Sequence, residues 1–491
     1  MKRLLALFFF VGCSSVAPKP IAIVGATLID GTGSDPQPNV TVIVRGDQID
    51  AVRPESVPAN AQVIDARGRV LAPGFIDMHN HSDRGLKDDP ALTSQVSQGI
   101  TTIVVGQDGE SAYPVGDFLT KLDRSPVAVN VATFVGQATL RERVMGEKNL
   151  GRAATDQEVA AMTAMVHNAM RDGAFGLSTG LEYEEAKKST TAEVIALARA
   201  AGEQGGIYMS HIRDEAQVEF DALDEAMRIG SEGRLPVEIS HIKMGSKSVW
   251  GRAPDAVRLV EAARQRGLDV TADCYPYEAW YSTIRVLVPS GQLDNPKDVA
   301  EALEENGGAD RITIVHCKAH PDYESKNLQQ IADEKHITPV DAYMQIVRDG
   351  GADVIGHTMQ ESDVRVFYTQ PWVMVGSDGG VGGKHPRSAG TFPRVLGRYV
   401  REQHWLTLQE AVRKMTSLPA SRLKLTDRGL IRPGMKADLV LFEPDKVIDR
   451  STFRDPGLLS EGIDNVWVNG VEVWRSGAVT GERPGRALRA R

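Results

Sequence analysis

From residue 21 to about residue 70 the chain shows short apolar runs with a period of two. The clearest is VTVIVRGDQIDAV at residues 40–52, and turn signals stand at Asp30-Gly31 and Gly46-Asp47. Alternation of this kind places apolar side chains on one face of a strand, so the stretch predicts a small β-rich unit. The tail from about residue 429 has the same character. KADLVLFEP (436–444) and VWVNGVEVWRSG (466–477) read as strands, the second pair turning at Asn469-Gly470. Residues 21–73 and 429–485 are therefore expected to form one small β-sandwich.

Between the two ends the period changes. Apolar runs such as TTIVV (101–105) and VAVNVATFV (127–135) alternate with helical segments such as TDQEVAAMTAMVHNAMRDG (155–173) and TAEVIALARAAGEQG (191–205). Repeated βα units imply a parallel sheet, and the expected fold class is α/β: a TIM-type (β/α)8 barrel over residues 74–428. Its eight inner strands are expected to end near His79, Gly106, Phe134, Thr179, His211, His241, Tyr275 and Asp378. The extra runs ITIVHC (312–317) and ADVIGH (352–357) then belong to an insertion before the last strand.

Residues 1–20 follow neither pattern. Lys2 and Arg3 precede an apolar run at residues 4–11, too short to span a bilayer and ordered like a secretory signal. In FVGCSS, Gly12 before Cys13 is similar to the lipobox of bacterial lipoproteins, which implies lipidation of Cys13 and a cell-envelope location on the periplasmic side. A plain signal peptide followed by an incidental cysteine is the alternative. Cys274 and Cys317 are then the remaining cysteines, too few for a disulfide framework.

Composition narrows the ligand. The chain of 491 residues is 42% hydrophobic and 25% charged with a net charge of -9. Those proportions fit an ordinary globular protein, and without a basic run there is no footprint for nucleic acid. A small molecule is the expected partner.

Candidate chemistry sits at the expected strand ends. In GFIDMHNHSD, His79 and His81 lie two apart and can share one metal ion. His211 closes GIYMSHIRDE, and His241 closes PVEISHIKMG thirty residues later, about one βα repeat on. Only 11 histidines occur in the chain, and four fall at strand ends, which composition alone does not explain. Asp378 follows the apolar run of WVMVGSDGG; a carboxylate there can bind a second metal or carry a proton, although SDG also favours a plain turn.

These residues resemble the amidohydrolase superfamily and, within it, the N-acyl-D-amino-acid deacylase (D-aminoacylase) family. The resemblance runs from about residue 21 to residue 473, on PGFIDMHNHSD, GITTIVVGQDGES, GLEY, SHIRDE, ISHIK, DCYPY, VGSDG and HPRSAGTFPRVLGRYVRE. It implies a zinc ion held by Asp108, His211 and His241, and a second, weaker position at His79, His81 and Asp378. Many family members carry Cys where this chain has Asp108, which leaves open one or two ions and metals other than zinc. The implied reaction is attack of metal-activated water on an amide carbonyl, with Asp378 as base and then acid. Tyr183 of GLEY is implied at the developing oxyanion. Lys243, Tyr275 and Arg387 are implied at the substrate carboxylate, and Arg285 at an acidic side chain. Tyr275, Tyr277, Trp280 and Tyr281 also point to an apolar or aromatic acyl pocket.

Three rival readings stand beside this one. Cyclic-amide hydrolases of the superfamily use a carboxylated lysine on the fourth strand, and AFGLSTGL contains none. A dipeptidase or another carboxamide hydrolase stays open, as does a non-catalytic envelope lipoprotein that kept the fold.

Overall fold

The structure, a computed structural model, describes residues 19–490. Cys13 and the apolar run before it lie outside the described residues. Among the described residues no helix is long and apolar enough to cross a membrane.

The central region forms the expected parallel barrel. Its strands are Phe75–Asp77, Ile100–Val105, Asn130–Thr133 continued by Val135–Gly136, Gly176–Gly180, Ile207–His211, Val237–Ile239, Val270–Cys274 and Val373–Val375. Neighbours pair in parallel register, for example Ser210 with Ile239 and Cys274 with Val375. The ring closes between strands eight and one. There the Asp378 N–H donates to His79 O at 2.8 Å and the His81 N–H to Gly379 O at 2.7 Å. Helices between the strands start where polar caps allow. Thr155 and Glu158 make a reciprocal capping box on helix Asp156–Asp172, which ends at Gly173 with φ of 113°.

The two ends of the chain join through one continuous sheet of nine strands. Strand Val70–Pro73 pairs antiparallel with Leu439–Phe442, placing Pro73 opposite Leu439. The first strand, Ile21–Leu28, pairs along one edge with residues 62–65 and then with residues 70–71. Ile23, Val42, Leu71, Leu439 and Trp467 form the core of this unit. The chain then returns to the barrel. The Leu488 N–H donates to Val131 O at 2.8 Å, and the Leu488 side chain joins Ile76, Val104, Ala132 and Met374 in the barrel's interior cluster.

The insertion before strand eight contains the two expected runs, Ile312–His316 and Asp353–Gly356, and a third strand, Trp280–Thr283. All three pair antiparallel. With helices Pro296–Glu305, Leu328–Lys335 and Pro339–Arg348 they bury a separate core that includes Ile284, Val299, Ile312 and Tyr343. This subunit of the fold sets Trp280, Tyr281 and Leu287 against one side of the barrel mouth.

Candidate metal centre

The barrel brings all six proposed donor residues to one rim. His211 is the last residue of strand five, while His79, Asp108, His241 and Asp378 stand two or three residues beyond their strands. Three of these turns are left-handed: φ is 55° at Asp108, 35° at His241 and 50° at Asp378. Non-glycine residues adopt that region at a cost of about 1–3 kcal/mol each, and such strain concentrates where a side chain must be aimed. Glycine makes the close packing possible. A Cβ on Gly376 would stand 2.5 Å from Asp273 Oδ1 and 3.0 Å from His79 Cβ.

The donor atoms fall into two groups that share Asp108. In the first, His79 Nε2 lies 3.3 Å from His81 Nε2, 3.5 Å from Asp108 Oδ2 and 3.5 Å from Asp378 Oδ1. His81 Nε2 lies 3.3 Å from Asp108 Oδ2 and 3.2 Å from Asp378 Oδ1. Ligands about 2.05 Å from a tetrahedral ion stand about 3.3 Å apart, so these edges match one zinc-sized ion. In the second group His211 Nδ1 lies 3.0 Å from His241 Nε2, which lies 3.8 Å from Asp108 Oδ1. Asp108 thus offers one oxygen to each group. Its Oδ1 is buried with no hydrogen-bond partner, as is His79 Nδ1. A carboxylate oxygen left bare among imidazoles is expensive unless a cation or water meets it, and the donor set fits a divalent metal.

Surrounding carboxylates orient the imidazoles. His211 Nε2 faces Glu182 Oε2 at 2.8 Å, which leaves Nδ1 toward the shared space. His241 Nδ1 faces Glu215 Oε1 at 3.0 Å, which leaves Nε2 free in the same way. The carboxylate of Asp273 accepts the His241 backbone N–H at 3.0 Å. Such contacts fix the tautomer and raise ligand basicity. Glu182, Glu215 and Asp273 were not singled out from the sequence, although all three stand within GLEY, SHIRDE and DCYPY beside residues that were.

The electrostatics are those of a cation site. Burial favours neutral His81, yet Asp108 and Asp378 raise its pKa to about 9. His79 is likewise raised well above its ordinary value by Asp108, Asp378 and Asp273 against burial. Burial would neutralise Asp378, but Arg387 and His79 hold it well below the usual carboxylate range. His241 differs: burial and the Lys243 ammonium lower it, keeping the ring neutral and its lone pair available.

Beside the donors is a cavity of about 60 Å³ lined by Tyr183, Lys243, Tyr275, Tyr281, Asp378 and Arg387, among others. Tyr183 Oη lies 3.2 Å from His211 Nδ1. Both cations expected at a substrate carboxylate already hold partners. Lys243 Nζ donates to Glu215 at 2.6 Å, and Arg387 pairs with Asp378 Oδ2 at 2.7 Å. Both also lie over the Tyr275 ring, at 5.8 and 4.8 Å. Arg387 is held from behind by His385, whose Nδ1 accepts its backbone N–H at 3.1 Å. Arg285 stands apart: it meets Glu184 at 3.4 Å and does not line the cavity. Trp280 lines the cavity with Tyr275 and Tyr281, whereas Tyr277 packs behind it against His385.

Against known proteins, the profile of the amidohydrolase family matches residues 62–474. The chain belongs to the amidohydrolase family. A D-aminoacylase of Alcaligenes xylosoxydans xylosoxydans is 38% identical over 97% of this chain and 98% of its own length. An N-acyl-D-aspartate deacylase of the same organism is 39% identical over 95% and 94%. Among solved structures, the N-acyl-D-glutamate deacylase of Bordetella bronchiseptica, complexed with zinc and a phosphonate inhibitor, superposes with a TM-score of 0.87. It is 35% identical and covers 96% of this chain and 100% of its own. A D-aminoacylase described as having a binuclear metal center also reaches 0.87, at 37% identity and the same coverages. As an amidohydrolase with all six donors in place, this chain is a hydrolase of amide bonds. Strand four, Gly176–Gly180, carries no lysine, consistent with the expected departure from cyclic-amide hydrolases.

Proposed function

We propose that this amidohydrolase cleaves N-acyl-D-amino acids into a carboxylic acid and a free D-amino acid, using zinc or a similar divalent ion. The observation that carries the reading is the pair of donor groups joined by Asp108, set beside a cavity with Lys243 and Arg387. His79, His81, Asp108 and Asp378 would hold one ion, and Asp108, His211 and His241 a second. A divalent metal bound there supplies Lewis acidity to the amide carbonyl and to water.

The remaining roles fall to the chain's own groups. Asp378 keeps its charge through Arg387 and is placed to take the proton from the attacking water. As the new C–O bond forms and the C–N bond breaks, it returns that proton to the leaving nitrogen. The Tyr183 hydroxyl, 3.2 Å from His211, is placed to donate to the oxyanion. Lys243 and Arg387 offer charge-assisted hydrogen bonds to the α-carboxylate, drawing partly away from Glu215 and Asp378. The complete donor set argues against a binding protein that has lost catalysis.

Amine release from paired N-acetyl-D- and N-acetyl-L-amino acids, after chelation and again after zinc addition, tests the reading. Zinc-restored hydrolysis favouring the D series by at least tenfold is expected. Equal rates remove the D-specific assignment, and activity that survives chelation removes the metal. We further propose export and lipidation of Cys13, supported by the charged, apolar and small-residue order of residues 1–13. Incorporation of labelled palmitate that disappears in Cys13→Ala is the expected outcome.

A further inference from the structure

A groove of about 1040 Å³, separate from the 60 Å³ cavity, begins at the loops that carry the metal centre and runs down the flank of the barrel to residues 125–127, ahead of strand three. Three loops lead from the site into its walls within three residues: His81 to Asp83 and Arg84, Asp108 to Glu110 and Ser111, and Tyr183 to Glu185. Arg84 and Glu110 form an ion pair where the first two loops meet.

Two helices build the groove. On Val115–Arg124, residues Phe118, Lys121 and Leu122 line it at the i, i+3, i+4 spacing of one helical face, and Ser125 follows just past the helix end. From Gln137–Met145 come Ala138, Thr139, Glu142 and Arg143. The floor is apolar: Leu86, Phe118, Leu122, Val127 and Ala138. The charges stand at its edges and are of both signs, with Arg143 donating to Tyr113 O at 2.7 Å and stacking on the Tyr113 ring.

A substrate of the proposed reaction has two arms on its scissile amide. The amino-acid arm carries a carboxylate and needs the cations Lys243 and Arg387, which line the small cavity. The acyl arm is uncharged and must leave the metal centre in another direction. We propose that the groove of Leu86, Phe118 and Leu122 is the acyl-chain subsite, and that the preferred substrates carry long unbranched acyl groups. The volume lies at the upper end of what small-molecule sites provide, and an apolar floor with a charged rim suits an alkyl chain better than a peptide. This inference rests on the deacylase reading given above. It also moves the acyl group away from Tyr275, Trp280 and Tyr281, which stand on the carboxylate side.

The test is a series of N-acyl-D-amino acids of one amino acid, from acetyl through octanoyl to dodecanoyl, read as kcat/KM with the zinc-loaded full chain. Each methylene removed from water favours binding by roughly fourfold at first, and at least a tenfold rise from acetyl to octanoyl is expected. In Ala112→Trp, which fills the groove from a half-exposed position, the dodecanoyl-to-acetyl ratio falls at least tenfold. Phe118→Asp, which makes the floor polar, lowers the same ratio. A ratio measured within one variant is independent of how much of it folds. A flat or falling series overturns the proposal, as does a ratio unmoved by both variants or a stronger preference for aminoacyl than for alkanoyl groups. Hydrolysis of the acetyl compound distinguishes these outcomes from failure of the deacylase reading, which predicts no hydrolysis at any chain length.

Discussion

His79, His81, His211, His241 and Asp378 could be read from the sequence because each follows an apolar run, and chain direction alone sends such residues to one end of a parallel barrel. Their supports could not be read so easily. Glu182, Glu215 and Asp273 act on histidines 26 to 32 positions away, across neighbouring strands, and nothing in local spacing marks them. Asp273→Asn keeps the shape but weakens the hold on the His241 backbone. Metal affinity is expected to fall about 10- to 100-fold, measured by competition with a chromogenic chelator. At Gly376 the constraint is steric. Gly376→Ala drives a methyl group into Asp273 and His79, and kcat/KM should drop at least tenfold with a lower Tm. An alanine variant with wild-type activity and melting would show that this contact relaxes freely.

At the scale of elements, the eight barrel strands and the insertion were legible from period and length. The strand Trp280–Thr283 was not, because it has neither alternation nor an apolar run and exists only through pairing with Asp353–Gly356. Helix Leu408–Met415 carries an unusual buried lysine. Lys414 donates to Val373 O at 2.9 Å, at the start of strand eight, and to Gln370 O. Burial lowers its pKa to about 7, with Glu410 opposing the shift. Unfolding restores a lysine that binds a proton up to about pH 10.4, so between these values the unfolded chain holds more protons. Stability from this group therefore rises with pH from about 7 to 10, by up to about 1.4 kcal/mol per unit. Lys414→Met should flatten that slope in urea unfolding at pH 7, 8 and 9. An unchanged slope would assign it to other groups.

At the scale of the whole molecule, pairing of the two chain ends was expected, but their single nine-stranded sheet and the return of the tail to the barrel were not. Those contacts join residues more than 300 positions apart, such as Pro73 with Leu439 and Val131 with Arg486, and periodicity is blind to partners. Leu488 closes the interior cluster, so Leu488→Ala should lower stability by roughly 2 kcal/mol, read as a shift of the urea midpoint. The same assembly fixes the loops that carry the metal centre, whose hinge in this account is Asp108, the one donor shared by both groups. The most direct test is the metal content per chain, by inductively coupled plasma mass spectrometry, of the zinc-loaded protein and its Asp108→Ala variant. Two ions are expected in the first, and in the second the loss of at least one ion together with at least a 100-fold fall in hydrolysis of N-acetyl-D-amino acids. A variant that keeps the full metal load and the full rate would contradict this.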